Sequence, residues 1–161
     1  IDEGIKNMKQ YEEKLQKYIK DNNIPCEYLQ FEQSCHSVLE AATAANVAPD
    51  DCVKNICLID SGGNLIVAIV KGDDRVSTSR VGKALNMARP RTATSDEILQ
   101  KTGYPCGGTP SFGYQAEFLI DPVVMEKEII LSGGGTEFAL IKIAPIELQK
   151  ANKGKVVKIR K

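Results

Sequence analysis

Residues 53–71 read VKNICLIDSGGNLIVAIVK, and this stretch decides the fold. Two seven-residue runs rich in Val, Ile and Leu, residues 53–59 and 65–71, are typical of buried strands. Between them lies the sequence DSGGN, whose paired glycines favour a tight turn. The pattern predicts an antiparallel β-hairpin at the centre of a sheet.

On the N-terminal side of the hairpin, the sequence predicts two helices and a strand. Apolar side chains at helical spacing among Lys and Glu residues indicate an amphipathic N-terminal helix over about residues 3–22. A β-rich segment over residues 27–31 follows. Ser37 and Glu40 then have the spacing of a capping box, which predicts the start of an alanine-rich helix.

The C-terminal side combines helices, strands and one loop. Residues 103–113, GYPCGGTPSFG, hold four glycines and two prolines, which predicts a loop rather than a helix or strand. Residues 153–161 are basic with apolar residues interleaved, which indicates either an edge strand or a solvated end. The rest of the pattern predicts, in order, a helix over 79–87, a helix capped by Thr94, strands over 115–120, 128–131 and 137–143, and a helix from Pro145.

The order of these elements lacks the regular β-α-β alternation of a doubly wound parallel sheet. Because a hairpin is present, the sheet must be mixed or mainly antiparallel. No repeat or low-complexity linker divides the chain. We therefore expect an α/β fold: a single domain over residues 1–161, with a mixed, mainly antiparallel sheet flanked by helices.

Composition excludes several classes of protein. The 161 residues include 21 Lys and Arg against 21 Asp and Glu, so no global positive field draws the chain to nucleic acid. Five cysteines without a C-x-x-C pair fit neither a disulfide framework nor a zinc ribbon, and we expect reduced thiols in the cytoplasm. The longest uncharged apolar run, residues 65–70, is far shorter than the roughly 20 residues that span a bilayer. We expect a monomer without metal, cofactor or membrane contact.

Two features could carry chemistry, and each has two interpretations. Lys54 stands near the start of the first central strand, either as a strand-end lysine that reaches solvent or as a fixed cation for a phosphate or carbonyl oxygen. In the loop over residues 103–113, glycines let backbone N–H groups approach a ligand oxygen, but a tight structural connection has the same composition. Local sequence leaves both questions open.

The other reactive side chains form no familiar catalytic set. His36 is the only histidine and is interpreted as a capping or surface residue, and Cys106 has no base near it in sequence. Asp73 and Asp74 precede Arg75 in a predicted turn. Neither a P-loop nor a dinucleotide-binding glycine motif is present. The residues by themselves indicate only a glycine-lined cleft that could bind a small molecule.

A combination of four segments is more specific than any single motif. They read VKNICLID over 53–60, LIVAIVKGDDRVS over 65–77, ILQKTGYPCGGTPSFG over 98–113 and IILSGGGTEFALIKIAPIEL over 129–148. Together they resemble the YbaK/ProX family of aminoacyl-tRNA deacylases, which includes the editing domain inserted in bacterial prolyl-tRNA synthetases. The resemblance implies a YbaK-type editing fold.

The resemblance also implies a site. Lys54 matches the family's lysine at the start of the central strand, which implies a catalytic role. The family's Gly-Gly-x-Pro loop, which holds the charged 3′ end of tRNA, matches residues 107–110. Asn55 stands where many members have Thr, and Ser111 where many have a second proline. The substrate-binding residues that the resemblance implies are Asn55, Gly107, Gly108, Thr109, Pro110, Phe112, Gly113, Ser132, Gly133 and Gly134.

The implied reaction is hydrolysis of the ester that joins a mischarged amino acid to the terminal ribose of a tRNA. Water would attack a substrate held by fixed donors, with the ribose hydroxyl assisting. The expected amino acid is alanine on tRNA-Pro, with cysteine, serine and threonine as alternatives, admitted by a pocket that excludes larger residues. The alternative function is a catalytically silent tRNA-binding or synthetase-partner module.

The expected partners are aminoacylated tRNA and an aminoacyl-tRNA synthetase. Because the chain is neutral overall, phosphate contacts would need a local basic patch. The candidates for such a patch are Lys83, Arg89, Arg91, Lys101 and the basic tail over residues 153–161.

Overall fold

The computed structural model describes residues 3–161, with side chains from Met8 onward. None of the described helices is long and apolar enough to cross a bilayer. The helices are α1 Glu3–Asp21, α2 Val38–Ala45, α3 Thr78–Ala84, α4 Ser95–Thr102, α5 Pro122–Met125 and α6 Pro145–Asn152. The strands are β1 Glu27–Gln30, β2 Val53–Ile59, β3 Leu65–Lys71, β4 Arg91–Thr92, β5 Glu117–Ile120, β6 Ile130–Gly133, β7 Ala139–Ile143 and β8 Lys155–Val156.

The predicted hairpin forms with the predicted bounds. β2 and β3 pair antiparallel over their whole length, from Val53 opposite Lys71 to Ile59 opposite Leu65. The turn is held by Asp60, whose Oδ1 accepts the N–H groups of Gly62 and Asn64 at 2.9 Å each. An aspartate that bonds the backbone two residues later is a typical turn former, so local chemistry is enough to set this register.

The strands form two sheets, one with the order β4-β2-β3-β5-β8 and one with the order β1-β7-β6. Among the strands of the described residues, only β3 with β5 and β5 with β8 pair parallel, which confirms the mixed, mainly antiparallel pairing. The strands divide between two sheets, however, where the sequence predicted a single sheet. An isolated parallel bridge between Cys52 and Leu131 links the start of β2 to β6. The two sheets therefore meet where β2 begins.

Successive side chains of β3 enter two different cores, as expected for a strand buried on both faces. Val67 packs in a core that includes Leu15 of α1. Ile66 packs in a second core with Val81 of α3 and Ile159 of the C-terminal tail. The hairpin is thus covered by α1 on one face and by α3 and the tail on the other.

Helix ends follow local signals that the sequence shows in part. Thr94 forms a complete capping box with Glu97 at the start of α4, as predicted. The helix predicted over 79–87 is shorter, since α3 ends at Ala84 and Asn86 adopts a left-handed φ of 53°. The short helix α5 was not predicted, although Asp121 followed by Pro122 is the cap-and-proline pattern that starts it.

The C-terminal tail is an edge strand rather than a solvated end. β8 pairs with β5, and Ile159 is completely buried. Asp121, also fully buried, accepts the N–H groups of Ile159 and Arg160 at 3.0 Å and pairs with the Arg160 guanidinium at 2.7 Å. Burial alone would raise the pKa of Asp121, but these donors lower it below its usual value.

We predict that Asp121→Ala lowers the free energy of unfolding by about 3–5 kcal/mol, because it leaves the Arg160 guanidinium and buried N–H groups without a partner. Urea unfolding followed by circular dichroism measures the loss. Asp50→Ala is the control, since Asp50 also forms an ion pair, with Lys127, but its side chain is partly exposed. A loss for Asp50→Ala as large as that for Asp121→Ala contradicts the prediction.

The same variant has a predicted pH dependence. A carboxyl group whose folded-state pKa is lowered contributes stability above its ordinary pKa, and that contribution is lost as the pH falls. The difference between the wild type and Asp121→Ala should therefore shrink as the pH falls below about 4.

Candidate functional site

A pocket of about 300 Å³ lies where the two sheets meet. Its polar end is formed by the start of β2, the end of β6 and the glycine loop over residues 103–113. Its apolar end lies under α2. Six of the residues implied by the family resemblance line it: Lys54, Asn55, Gly107, Thr109, Ser132 and Gly133.

Lys54 and Asn55 are neighbours on β2, so their side chains point to opposite faces of the sheet. Lys54 shares the face of Leu58, which packs in the core beneath α3 and the tail. Asn55 shares the face of Cys57, which packs in the core beneath α1. The two side chains therefore reach the edge of the pocket from opposite faces of the sheet.

The Lys54 ammonium group donates a hydrogen bond to the backbone carbonyl oxygen of Asp74. Partial burial lowers the pKa of Lys54, and nearby Arg75 acts in the same direction, while the Asp74 carboxylate raises it. A cation that has lost part of its water interacts more strongly with a negative charge than one in bulk solvent. Lys54 is therefore held in place rather than free to move in solvent.

Asp74 has a polar atom without a partner. Its carboxylate oxygen Oδ2 is buried and has no hydrogen-bond partner among the described residues. Buried acceptors are nearly always satisfied in native proteins, so this atom is a candidate acceptor for a ligand N–H or O–H group. The sequence suggested only a turn at this position, because the neighbourhood of Lys54 arises from long-range packing.

Asn55 is the centre of a polar network in the wall of the pocket. Its Nδ2 donates to the carbonyl oxygen of Thr109 at 2.9 Å and to Ser132 Oγ at 3.3 Å. Its Oδ1 accepts from Ser111 Oγ at 2.7 Å, and the Ser111 and Ser132 hydroxyl groups are 2.6 Å apart. Ser111 is completely buried and supports Asn55 from behind. The network joins β2, the glycine loop and β6.

The glycine loop lies directly against the β6–β7 turn, backbone on backbone. The N–H of Gly135 donates to the carbonyl oxygen of Gly108 at 2.7 Å. A Cβ atom on Gly108 would lie 2.5 Å from the backbone of Thr136, and one on Gly133 would overlap the Thr109 carbonyl oxygen. The two glycine-rich segments, separate in sequence, thus line one cleft.

Two backbone N–H groups in this loop are candidate donors to a ligand. Within the described residues, the N–H groups of Gly107 and Thr109 donate to no other group. Both residues line the pocket. Backbone donors at fixed positions are suited to holding a carbonyl oxygen or a developing oxyanion.

The other residues that the resemblance implies lie outside the pocket lining. Phe112 is completely buried and stacks on Tyr18 of α1 with ring centroids 6.1 Å apart. Gly113 follows it with a left-handed φ of 98° beside the same tyrosine. Pro110 is buried, and its carbonyl oxygen accepts from Tyr114 at 2.6 Å. Gly134 accepts from Tyr28 at 2.5 Å. These contacts anchor the ends of the cleft.

His36 is a pocket residue that the sequence did not indicate. It lines the pocket, and its ring packs so closely on Gly107 that a Cβ there would overlap the imidazole. Its Nδ1 lies 3.6 Å from Glu137 Oε2, and Ser37 rather than His36 caps α2. Its position before a capped helix was visible in the sequence, but its packing on a distant glycine loop was not.

The apolar end of the pocket is lined by small and aliphatic side chains. Cys52 lies there with its pKa raised to about 11, first by burial and then by nearby Asp51. A thiol in that condition stays protonated and is a poor nucleophile. The other residues of this wall are Cys35, Val38, Ala41, Leu131 and Leu140.

We predict that Gly108→Ala destabilises the protein by about 2–3 kcal/mol, because its methyl group would overlap the backbone of Thr136 and force the two segments apart. Gly62→Ala is the control, since its nearest neighbour is the flexible Asn64 side chain at 3.1 Å. We expect a change of no more than about 0.5 kcal/mol there. Thermal unfolding of both variants distinguishes the two cases, and equal melting temperatures would refute the close approach.

Two curated proteins are similar to this chain in sequence. The protein shares 23% identity over 129 residues with the uncharacterised protein YwhH of Bacillus subtilis, covering 79% of this chain and 82% of that one. It shares 25% identity over 126 residues with a proline–tRNA ligase of Trichlorobacter lovleyi, covering 70% of this chain. The match spans only 22% of that ligase.

Two solved structures have the same fold over almost their whole length. The hypothetical protein APE2540 superposes with a TM-score of 0.85 at 25% identity, covering 92% of this chain and 99% of that one. A protein described as a candidate trans-editing enzyme for prolyl tRNA synthetase superposes with a TM-score of 0.86 at 21% identity. The superposition covers 94% of this chain and 97% of that one.

The family profile of the aminoacyl-tRNA editing domain matches residues 32–151. That range includes the hairpin, the glycine loop, the β6–β7 turn and every residue of the pocket lining. The chain therefore belongs to the aminoacyl-tRNA editing domain family.

Proposed function

We propose that this protein hydrolyses the ester bond between a small amino acid and the 3′-terminal ribose of a mischarged tRNA. The observation that carries the proposal is a pocket that combines a fixed cation, Lys54, with unused backbone N–H donors at Gly107 and Thr109. Two of its thiols, Cys35 and Cys52, have a pKa raised by burial. The third pocket thiol, Cys106, is exposed. In the proposed mechanism the nucleophile is water, which attacks an ester held by fixed donors.

In the proposed mechanism, Lys54 anchors the terminal nucleotide of the tRNA, through its phosphate, or the ester carbonyl oxygen. The N–H groups of Gly107 and Thr109 stabilise the oxyanion that forms when water adds to the ester carbon. The ribose hydroxyl next to the ester assists the water, and the unpartnered Oδ2 of Asp74 accepts a hydrogen bond from a ribose hydroxyl or amino group beside Lys54. Collapse of the tetrahedral intermediate releases the amino acid and leaves the tRNA hydroxyl.

The pocket favours a small side chain. Its apolar end, with Ala41, Leu131 and Leu140, offers aliphatic contacts to a short apolar side chain. We rank alanine first, with cysteine, serine and threonine next. The similarity to proline–tRNA ligases makes tRNA-Pro the first tRNA to test.

Asn55 has a structural task in this proposal. Its amide nitrogen and its carbonyl oxygen are both bonded to the protein, so it holds Thr109 in place rather than contacting the ester directly. Precise placement of donors decides catalytic rate, because a small displacement weakens bonds to the transition state.

We predict that Lys54→Ala lowers deacylation about 100-fold or more while the melting temperature stays close to that of the wild type. Fold is retained because the Lys54 side chain bonds only a loop carbonyl oxygen. The measurement is release of labelled amino acid from tRNA-Pro charged with alanine, cysteine, serine or threonine. Lys142→Ala is the control, since Lys142 is an exposed strand lysine outside the pocket.

Two outcomes oppose the proposal in different ways. Undiminished turnover by folded Lys54→Ala protein removes Lys54 from the mechanism. Binding of charged tRNA by wild-type protein without release of any amino acid from the panel favours the silent binding module instead.

We predict that Asn55→Ala lowers the melting temperature and the deacylation rate together, because it removes a partly buried amide that ties β2 to the loop and to β6. Lys54→Ala, in contrast, should lower only the rate. Thermal unfolding and single-turnover kinetics on the same two preparations make the comparison. Full activity of Asn55→Ala protein at a temperature well below its melting point would contradict the role of the tie.

A further inference from the structure

The neutral net charge conceals two strongly basic segments. Residues 75–95 contain five basic and no acidic residues, and residues 148–161 contain six basic and no acidic residues. Together they hold 11 of the 21 Lys and Arg of the chain. The compensating carboxylates therefore lie elsewhere in the sequence.

The fold joins these two segments. Val76 and Arg160 form an antiparallel bridge, the N–H of Ser77 donates to the Ile159 carbonyl oxygen at 2.7 Å, and the N–H of Lys161 donates to the Arg75 carbonyl oxygen at 2.8 Å. Farther along, the Lys155 ammonium group donates to the carbonyl oxygen of Ala84, the last residue of α3, at 3.1 Å. Two acid-free stretches thus become one surface.

We call this surface the basic face. All its side chains are exposed, and none forms an ion pair with a carboxylate in the described part of the chain. An unpaired cluster of cations produces a positive potential that extends about a Debye length, roughly 8 Å at physiological salt, into solvent. The basic face consists of Arg75, Arg80, Lys83, Lys155, Lys158 and Lys161.

The carboxylates near the basic face are paired or lie at its ends, where Asp60 and Glu117 line a cavity with Leu85, the residue just after α3. Asp121, which faces the tail, is buried and neutralised by Arg160. Glu97 is paired with Arg91. Asp73 and Asp74, just before Arg75, are the carboxylates nearest in sequence, and they lie at the end of the basic face that meets Lys54.

The basic face is continuous with the pocket edge. Lys54 points to the same face of the central sheet as α3 and the tail, and Arg75 is close enough to lower the pKa of Lys54. A polyanion lying along the basic face would therefore have its end near Lys54.

We infer that the basic face binds the phosphate backbone of the RNA whose 3′ end enters the pocket. The inference rests on the proposed function, because it takes the RNA end as the pocket's ligand. Lysine and arginine side chains without carboxylate partners release counterions when they bind phosphates, which gives affinity that depends strongly on salt and little on sequence. The basic face then supplies affinity for the nucleic acid, while the pocket recognises the amino acid.

The test uses two double variants in the basic face, Arg80→Gln with Lys83→Gln and Lys158→Gln with Lys161→Gln. The matched control is Lys9→Gln with Lys20→Gln, two exposed lysines on α1, which covers the opposite face of the sheet. Binding of uncharged tRNA-Pro is measured by fluorescence anisotropy from 50 to about 300 mM salt, a range over which phosphate binding weakens steeply. Thermal unfolding verifies that each variant is folded.

We expect each basic-face variant to weaken tRNA binding about tenfold or more at low salt. We also expect the slope of log affinity against log salt to fall by about one for each phosphate that the variant no longer neutralises. The α1 control should leave both quantities unchanged. Unchanged tRNA affinity in the basic-face variants, or an equal loss in the control, overturns the inference. The inference also fails if phosphatidylserine vesicles compete with tRNA for the protein and their binding has the same salt dependence as tRNA binding.

A second readout separates this inference from the proposed function. Hydrolysis of a short substrate, alanine esterified to a CCA trinucleotide, needs the pocket but not the basic face. We expect basic-face variants to cleave it at the wild-type rate while their KM for charged tRNA rises. If the wild type does not cleave the short or the full substrate, the proposed function fails, whereas normal KM for charged tRNA in the variants overturns the basic face alone.

Discussion

The close approach of the glycine loop to the β6–β7 turn is the constraint on which the site depends. The Gly135 N–H bonds the Gly108 carbonyl oxygen, and there is no room for a Cβ atom at Gly108 or Gly133. This approach places Thr109 beside the start of β2, where its carbonyl oxygen accepts from Asn55, and Gly107 in the wall of the same pocket. Without it, the loop would be an open connection, and the pocket would lack its polar end.

A second constraint is the alternation of side chains along β2. Lys54 and Asn55 are adjacent, yet the strand sends one toward α3 and the tail and the other toward the core beneath α1. The division separates two tasks. Asn55 ties the loop to both sheets through partly buried hydrogen bonds, while Lys54 presents a charge at the edge that meets the basic face.

Elements with local causes could be predicted from the sequence. The hairpin has its predicted bounds because its turn is made by Asp60 and glycines within the turn itself, and α4 begins at Thr94 because its capping box is local. The sequence predicts the end of α3 three residues too late. Asn86 adopts a left-handed backbone conformation, which cannot continue a right-handed helix. For the site, the family resemblance supplied Lys54 and the loop, whereas local reasoning left both undecided.

By itself, the sequence determined the order and type of most elements, the hairpin register and the loop at the glycine-rich segment. These features depend on interactions between residues that are close in the chain. Only the tertiary structure decided that the strands divide into two sheets and that His36 packs on Gly107. It also decided that Ser111 supports Asn55 and that two basic segments far apart in the chain form one face. Such contacts depend on packing between distant segments, and no local propensity encodes which distant backbone a glycine or a lysine will meet.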